Sequence, residues 1–191
     1  MFGLSLADHL RLTFGHIIYS HKTHTITAER QARRDRWLKT AEAVLLLATA
    51  VAAAGMGLTL NPVYAIVAAT TATLGMFVLI LRLAFDFERT AAAHRACSSR
   101  LWLIREQYRA LLADLKDGAI TIEAARARRD ALMDTLQRIY EYAPPIDREL
   151  YQTARQSLKS INEATLSDEE IDRFLPPSLQ KPAETPQTTA R

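Results

Sequence analysis

Charge is missing from a long internal stretch of this sequence. Between Ala43 and Leu81 there is no Asp, Glu, Lys or Arg, although these residues make up 24% of the chain. A membrane-spanning helix needs about 20 apolar residues, so the stretch is roughly twice as long as one crossing requires. The sequence therefore predicts two spans.

Residues that carry catalysis or bind metals are also scarce. The single cysteine, Cys97, excludes an intramolecular disulfide framework. There is no glycine-rich phosphate loop, no G-x-S-x-G and no His-Glu metal spacing. No Cys or carboxylate completes a metal pattern around His16, His21 and His24. We therefore expect no enzyme activity, no cofactor and no metal, and the net charge of +3 does not point to nucleic acid.

The uncharged stretch divides at Asn61-Pro62, because proline breaks a helix and Asn suits a turn. The sequence predicts a transmembrane hairpin over 41–82, with helices at about 41–60 and 63–81. Each helix of about 19 residues would rise about 28 Å, close to the thickness of the hydrocarbon core. No ionisable group lies inside the spans, which argues against a pump or a coupled transporter.

Basic residues flank the hairpin on both sides, whereas the turn between the spans carries no charge. The positive-inside rule then places both termini in the cytoplasm and the hairpin in the cell membrane. The residues that set this topology are Arg30, Arg33, Arg34, Arg36, Lys39 and Arg82.

Both spans are rich in small residues. Pairs at spacing four let helix backbones approach closely in lipid. Such packing could lie within the hairpin or between copies of the chain, and the sequence leaves both open. Two helices cannot enclose a pore, so any conducting function requires a homo-oligomer. The candidates for pore lining or helix packing are Ala50, Ala53, Ala54, Gly57, Ala68, Thr70, Thr71, Ala72, Thr73 and Gly75.

Residues 1–40 form a predicted helical arm, in which polar residues from Ser20 to Thr27 leave room for an interruption. An apolar stripe in the arm recurs at helical spacing. It could pack on the C-terminal bundle or lie on the membrane surface. The stripe consists of Leu6, Leu10, Phe14 and Ile17 or Ile18.

Residues 83–175 form a predicted cytoplasmic bundle. The first helix continues from Arg82 to about Lys116 and ends at Asp117-Gly118, and Thr121 caps the next. After the break at Pro144-Pro145, a third helix is predicted at about 147–164. A capping box at 167–170 then predicts a short helix that ends at 174. The tail at 176–191 is expected to be disordered. The predicted fold class is an all-α membrane protein, a two-helix transmembrane hairpin whose long helices continue into a cytoplasmic helical bundle.

Two pairs of arginines are candidates for contact with an anionic ligand or acidic lipid, although a solvated helix face is the simpler interpretation of both. These residues are Arg105, Arg109, Arg126 and Arg129.

Several features in a fixed order resemble a known family. After the two spans and their minimal turn come His94, YRALLAD at 108–114, Gly118, RRDAL at 128–132 and IYEYAPP at 139–145, with Tyr151 and Ala154 behind them. This order is similar to that of the SLATT family, bacterial two-transmembrane proteins associated with nucleotide-messenger synthases and nucleotide-sensing SLOG domains. The resemblance covers roughly residues 10–162.

The resemblance implies a pore-forming effector of an anti-phage or other conflict system. A nucleotide second messenger, or a partner protein that senses one, would trigger assembly or opening in membrane lipid. The family offers no catalytic residues to carry over, and Tyr108, Tyr140 and Tyr151 are expected in the bundle core with their hydroxyls near its edge. The alternative is a membrane-anchored helical interaction module without pore activity.

Overall fold

A computed structural model describes residues 5–146 and 168–181 of the chain, and these residues are helical without any strand. The helices are α1 (Leu6–Thr59), α2 (Pro62–Ala84), α3 (Phe87–Lys116), α4 (Ile122–Glu141) and α5 (Asp168–Asp172), followed by a 3-10 helix at Pro177–Leu179. The chain forms two compact units. Residues 25–95 make up the hairpin unit, and residues 1–24 and 96–191 make up the helical unit.

Helix α1 is a single helix of 54 residues, so the interruption considered near Ser20 to Thr27 does not occur. No glycine or proline lies in that segment. The Thr23 hydroxyl donates to the Tyr19 carbonyl oxygen at 2.8 Å, a bond to the preceding turn that lets threonine remain inside a helix. At the start of α1, the amide of Asp8 donates to the Ser5 hydroxyl at 3.1 Å, which caps the helix.

The turn between α1 and α2 lies where the sequence predicts it. Leu60 has a φ of 54°, and the Asn61 side chain accepts a hydrogen bond from the Val63 amide at 3.0 Å. Pro62 is the first residue of α2, because the first helical position needs no amide donor and favours the φ that proline fixes.

The predicted continuous helix from Arg82 to Lys116 is wrong, because α2 ends at Ala84 and α3 begins at Phe87. The carboxylate of Asp86 accepts a hydrogen bond from the Arg89 amide at 3.1 Å, and this cap starts a new helix.

The predicted link between α3 and α4 is confirmed. Gly118 has a φ of 65°, in the left-handed region that glycine occupies without strain. The Thr121 hydroxyl accepts a hydrogen bond from the Ala124 amide at 3.2 Å and caps α4.

The core of the helical unit joins α1, α3, α4 and α5. The apolar stripe of the arm belongs to this core rather than to a membrane surface, since Leu10, Phe14 and Ile17 are at most 1% exposed. Helical spacing in the sequence also predicts apolar stripes on α3 and α4. They are confirmed by burial of Leu101, Ile104, Tyr108, Leu111, Ala125, Leu132 and Ile139, with the remaining members, Leu115 and Leu136, partly buried.

Tyr108 and Tyr140 each meet one half of the expectation of a core ring with its hydroxyl near the edge. Tyr108 is in the core but its hydroxyl is buried, whereas Tyr140 is 41% exposed with its hydroxyl at the edge. Tyr108 is fully buried, and its hydroxyl has no hydrogen-bond partner among the described residues. Burial raises the pKa of Tyr108 to about 12. The Tyr140 hydroxyl donates to Ser20 Oγ at 2.9 Å on the exposed side, and Tyr151 lies outside the described residues.

Replacing Tyr108 with phenylalanine is expected to raise the free energy of unfolding by about 1 kcal/mol, because it removes a buried hydroxyl without a partner and keeps the ring. The advantage should grow above pH 10. There the unfolded tyrosine loses its proton while the buried one, with a pKa of about 12, keeps it. Denaturant unfolding in detergent, followed by circular dichroism, measures both effects. A loss of stability would mean that the hydroxyl bonds a residue outside the described ranges.

The segment 168–181 packs against the first turns of α1. The Arg11 guanidinium lies 2.5 Å from Asp172 Oδ1 and 3.5 Å from Asp168 Oδ1, and it also donates to the Leu179 carbonyl oxygen at 2.9 Å. The Tyr19 hydroxyl donates to the carboxylate of Glu170. Residues 176–181, assigned to the tail from the sequence, are part of this packing.

The C-terminal predictions outside the described residues are the third helix at 147–164, the start of the capping box at 167 and the tail from 182 onward.

Candidate functional site

Two helices are long and apolar enough to cross a membrane, and they carry the uncharged stretch of the sequence. In each, only 6% of the most apolar 18-residue window is buried within the structure. A helix at the core of a water-soluble protein would bury most of such a window against its neighbours. Apolar faces of this length therefore indicate a lipid environment or contact with other chains.

The hairpin packs along a seam of small residues. The α-carbon of Gly75 faces α1, and a Cβ there would lie 3.7 Å from Leu45 Cβ. One turn further along, the hydroxyls of Thr49 and Thr71 are 2.7 Å apart and form a hydrogen bond between the helices. Ala52 is 4% exposed on the same side of α1. Contacts between small residues and a hydroxyl pair are the means by which helices associate in lipid.

The seam closes at the turn with Tyr64 lying over Gly55. A Cβ at Gly55 would come within 2.7 Å of two ring carbons of Tyr64. At Gly57 nothing lies within 4 Å of the corresponding position. Gly55 and Gly57 therefore have different environments, since Gly55 is inside the seam and Gly57 is outside it.

The candidate residues for pore lining or packing divide between these two sides. Gly75 is buried in the seam, and Ala68 and Thr71 are half-buried there. The exposed candidates are Ala50, Ala53, Ala54, Gly57, Thr70, Ala72 and Thr73.

On α1 the exposed candidates share one face. Successive residues of an α-helix turn by about 100°, so Ala50, Ala53, Ala54 and Gly57 fall within an arc of about 100° opposite the seam. On α2 the hydroxyls of Thr70 and Thr73 each donate to a carbonyl oxygen of the preceding turn at 2.8 Å. These hydroxyls present their remaining lone pairs to the surroundings.

Ion pairs join the two helices where the uncharged stretch begins and ends. Arg82 of α2 pairs with Glu42 of α1, and the two side chains are 29% and 17% exposed. Below them, Lys39 Nζ lies 2.8 Å from Asp35 and 2.7 Å from Glu88 of α3. The hydrogen bonds with Asp35 and then Glu88 raise the pKa of the Lys39 ammonium. Lys39 and Arg82, two of the six residues predicted to set the topology, therefore also form ion pairs between helices.

The other four topology residues, Arg30, Arg33, Arg34 and Arg36, are exposed on the surface of α1. Arg33 and Arg36 line an open cleft of about 520 Å³ with Trp37 and Thr40. Trp37 is 70% exposed just before the apolar stretch, a position where tryptophan is enriched at membrane–water interfaces.

The candidate anion-binding arginines lie in the helical unit and do not form one group. Arg105 and Arg109 both pair with Glu106, which neutralises part of their charge. Arg126 and Arg129 line a cleft of about 290 Å³ with His9. In the described residues no group of three or more His, Cys, Asp or Glu side chains is arranged to hold a metal ion.

A family model described as "SMODS and SLOG-associating 2TM effector domain family 4" matches residues 6–170, which include the whole hairpin. The chain belongs to this SLATT family. The resemblance drawn from the sequence is confirmed, and with it a two-transmembrane effector domain of the kind associated with conflict systems. No curated protein and no solved structure matches the chain.

The SLATT assignment and the two apolar helices together indicate a membrane protein. The seam residues Thr49, Ala52 and Gly55 were not among the sequence candidates. The sequence feature that could have identified them is their spacing of three or four residues from Leu45 onward, which places them on one face of α1. The pairing of Glu42 with Arg82 could not be read from spacing, because the two residues meet only once the hairpin has closed.

Replacing Gly55 with alanine is expected to destabilise the hairpin by about 1–3 kcal/mol, because the added methyl collides with the Tyr64 ring. Gly57→Ala is the matched control and should leave the hairpin intact, since its added methyl meets nothing within 4 Å. Fluorescence transfer between dyes near the two ends of the hairpin, followed during denaturation in SDS, measures its opening. Equal effects of the two substitutions would contradict the seam.

Proposed function

We propose that this SLATT protein is an oligomeric effector that permeabilises the inner membrane when its cytoplasmic part is triggered. In this proposal both termini are cytoplasmic, the partners are membrane lipid and further copies of the chain, and the protein acts without catalysis of its own. The observation that carries the proposal is the face of α1 opposite the seam, where Ala50, Ala53, Ala54 and Gly57 remain exposed.

The seam explains why that face is available. Hairpin packing already uses Thr49, Ala52 and Gly55, so the outer small residues are not needed to hold one chain together. Small residues that contact only lipid have no packing role, whereas in an interface they permit close approach of helices. Two helices cannot surround a channel, so a pore requires assembly of several copies. We assign this assembly to the outer face of α1, the face opposite the seam that carries Ala50, Ala53, Ala54 and Gly57.

The lack of charge in the spans is consistent with a simple pore. No Asp, Glu, Lys or Arg lies between Ala43 and Leu81, so the pathway would lack a binding site for a coupled ion. Its polar groups would be threonine hydroxyls and backbone carbonyls. Such a lining passes ions with weak selectivity, which suits an effector whose action is leakage.

The trigger follows from the family rather than from the geometry. The family is described as associating with SMODS and SLOG domains. We therefore propose that a nucleotide second messenger, bound directly or through a nucleotide-sensing partner protein, switches the cytoplasmic part.

The first test is release of ions and of a small dye from liposomes that contain the full chain. Release is measured with and without cyclic oligonucleotides, and insertion is verified by protease protection. Leakage that depends on the nucleotide would support a gated pore with a direct ligand. Leakage without it would support a pore that a partner restrains in the cell. No leakage in either case would reject the pore and leave the tethered interaction module.

Variants of the outer face make the test specific. Ala53→Leu and Gly57→Leu place bulk on this face and are expected to reduce both leakage and cross-linked oligomers at least tenfold. Val51→Leu, at an exposed position of α1 on the flank of that face, is the control and should leave both unchanged. If the control and the two variants behave alike, assembly does not use the outer face.

A further inference from the structure

A basic cleft lies on α1 shortly before its long apolar stretch. Arg33, Arg36, Trp37 and Thr40 line it, and its volume is about 520 Å³. Successive residues of a helix turn by about 100°, so these four positions fall within an arc of about 100° on one face of α1. All four residues are exposed, and the cleft belongs to the hairpin unit.

The packing of the hairpin unit does not use this face of α1. Contact with α3 is made from a different side of the helix, where Asp35 is 8% exposed and Lys39 pairs with both Asp35 and Glu88. The guanidinium groups of Arg33 and Arg36 form no ion pair or hydrogen bond with any described residue. Each guanidinium has five N–H donors, so the cleft offers two cations to a ligand from outside the chain.

Trp37 gives the cleft an aromatic wall. The side chain is 70% exposed, although indole is a large apolar ring with a single N–H donor. Tryptophan is enriched where one part of the ring contacts lipid chains and the other contacts headgroups. The hydroxyl of Thr40 donates to the Arg36 carbonyl oxygen at 2.9 Å, so Thr40 lines the cleft without donating to a ligand.

The position of the cleft along α1 identifies its surroundings. Glu42 is the last charged residue before the apolar stretch. Arg36 and Trp37 precede Glu42 by about 8–9 Å of helix. The headgroup layer extends about 5–8 Å beyond the hydrocarbon core on each side of a bilayer. In a membrane-spanning hairpin the cleft therefore opens among the phospholipid headgroups, and the long Arg33 side chain lies at their outer edge.

An exposed apolar stripe continues from the cleft on the same face of α1. Val44, Leu47 and Val51 follow Thr40 at spacings of four, three and four residues, and they are 60%, 66% and 62% exposed. The stripe differs from the small-residue face opposite the seam, because these side chains are larger and lie about 110° around the helix from it. A molecule with a charged head and apolar chains matches the cleft and the stripe together.

We propose that the cleft binds the headgroup of an anionic phospholipid whose chains lie along this stripe. Guanidinium groups bind phosphate through paired N–H bonds. No carboxylate lines the cleft, so its two positive charges favour a lipid with a net negative charge over a zwitterionic one. The volume lies within the range of about 300–1,000 Å³ that is typical of small-ligand pockets.

The test is a fluorescence titration of the detergent-solubilised full chain with dioctanoyl phosphatidylglycerol and, separately, with dioctanoyl phosphatidylcholine. Trp102→Phe leaves Trp37 as the only tryptophan, so the emission reports on the cleft itself. We expect a saturable shift to shorter wavelength that needs a lower mole fraction of the anionic lipid. Arg33→Gln and Arg36→Gln should each weaken its binding about fivefold, the contribution of one basic residue near an anionic surface.

The matched control is Arg34→Gln, which removes the same charge from the same turn of α1. Arg34 does not line the cleft, so its replacement acts only through the general potential and should weaken binding less than about twofold. Arg36→Lys keeps the charge but loses the paired contact with phosphate, and its affinity should lie between those of the native chain and Arg36→Gln. Equal weakening by Arg34→Gln and Arg36→Gln would mean diffuse attraction and would overturn the site. Circular dichroism of each variant verifies that the helices are retained.

Other occupants of the cleft give different results. Glycerol 3-phosphate carries the phosphate without the chains, and binding as tight as that of the lipid would replace the lipid with a soluble phosphate compound and overturn the proposal. A shift of Trp37 emission that follows protein concentration and not lipid would mean that a second copy covers the cleft, which also overturns it. The site requires a membrane-spanning hairpin but not a pore. A chain that prefers the anionic lipid and causes no leakage would keep the site and reject the proposed function.

Discussion

Replacing Arg11 with methionine is expected to lower the free energy of unfolding of the helical unit by about 3 kcal/mol and to release residues 168–181 from α1. The Arg11 side chain is 5% exposed, and it contacts Asp172, Asp168 and the carbonyl oxygen of Leu179. Methionine fills a similar volume but supplies no donor. The loss therefore comes from partly buried carboxylates that keep their charge without a partner, and limited proteolysis near residue 175 should become faster.

A second substitution separates this cause from a simple loss of packing. Asp172 is 19% exposed, and without Arg11 its described partner is the backbone amide of Lys181. Adding Asp172→Leu to the methionine variant removes the stranded charge and should restore part of the stability. Arg128→Gln, at an exposed arginine, should cost less than about 0.5 kcal/mol. If Arg11→Met lowers the free energy of unfolding no more than this control does, the contacts of Arg11 with residues 168–181 do not stabilise the fold.

The contacts of Arg11 illustrate what the sequence could not reveal. Its partners lie more than 150 residues away along the chain, and at that separation a charge pattern carries no pairing information. From the sequence, Arg11 is one polar residue beside an apolar stripe. Its burial follows only from the docking of residues 168–181, which the sequence assigned in part to a disordered tail.

The hairpin and the stripes could be predicted because their signals are local. The lack of charge from Ala43 to Leu81 and the Asn61-Pro62 break indicate two helices with no tertiary information. Helical spacing identified Phe14, Leu101 and Ile139 as core residues for the same reason. Local rules failed between Arg82 and Lys116, where an Asp86 cap outweighed continuous helical propensity.

The sequence predicted the candidate site only as a set of small residues, without their packing partners. Small residues are spread over both spans, and a list of them does not say which side packs within the hairpin. The seam is defined by the contact of Thr49 with Thr71 and of Gly75 with Leu45, which depend on the register of the turn. Once that register is known, the outer face of α1 follows from helical periodicity.

Reversing the charge of Arg82 alone is expected to open the base of the hairpin. In Arg82→Glu two carboxylates would face each other where Glu42 and Arg82 now pair. The pair is only partly exposed, so its loss lies between that of a surface pair and that of a buried one, on the order of 2 kcal/mol. Repulsion between like charges adds to this at low salt. The readout is the midpoint of hairpin opening in SDS, measured by fluorescence transfer between residues 38 and 83.

The double reversal, Glu42→Arg with Arg82→Glu, decides whether the pairing itself matters. It restores opposite charges at the same two positions and should recover most of the lost stability, with a coupling energy well above that of an exposed pair. It also keeps the net charge of the flank unchanged, so the topology signal is the same as in the native chain. Lys39→Gln removes a charge from the same region but leaves Glu42 and Arg82 paired, and it should shift the midpoint much less. If the double reversal is as unstable as Arg82→Glu, the base of the hairpin is held by the surrounding packing and not by this ion pair.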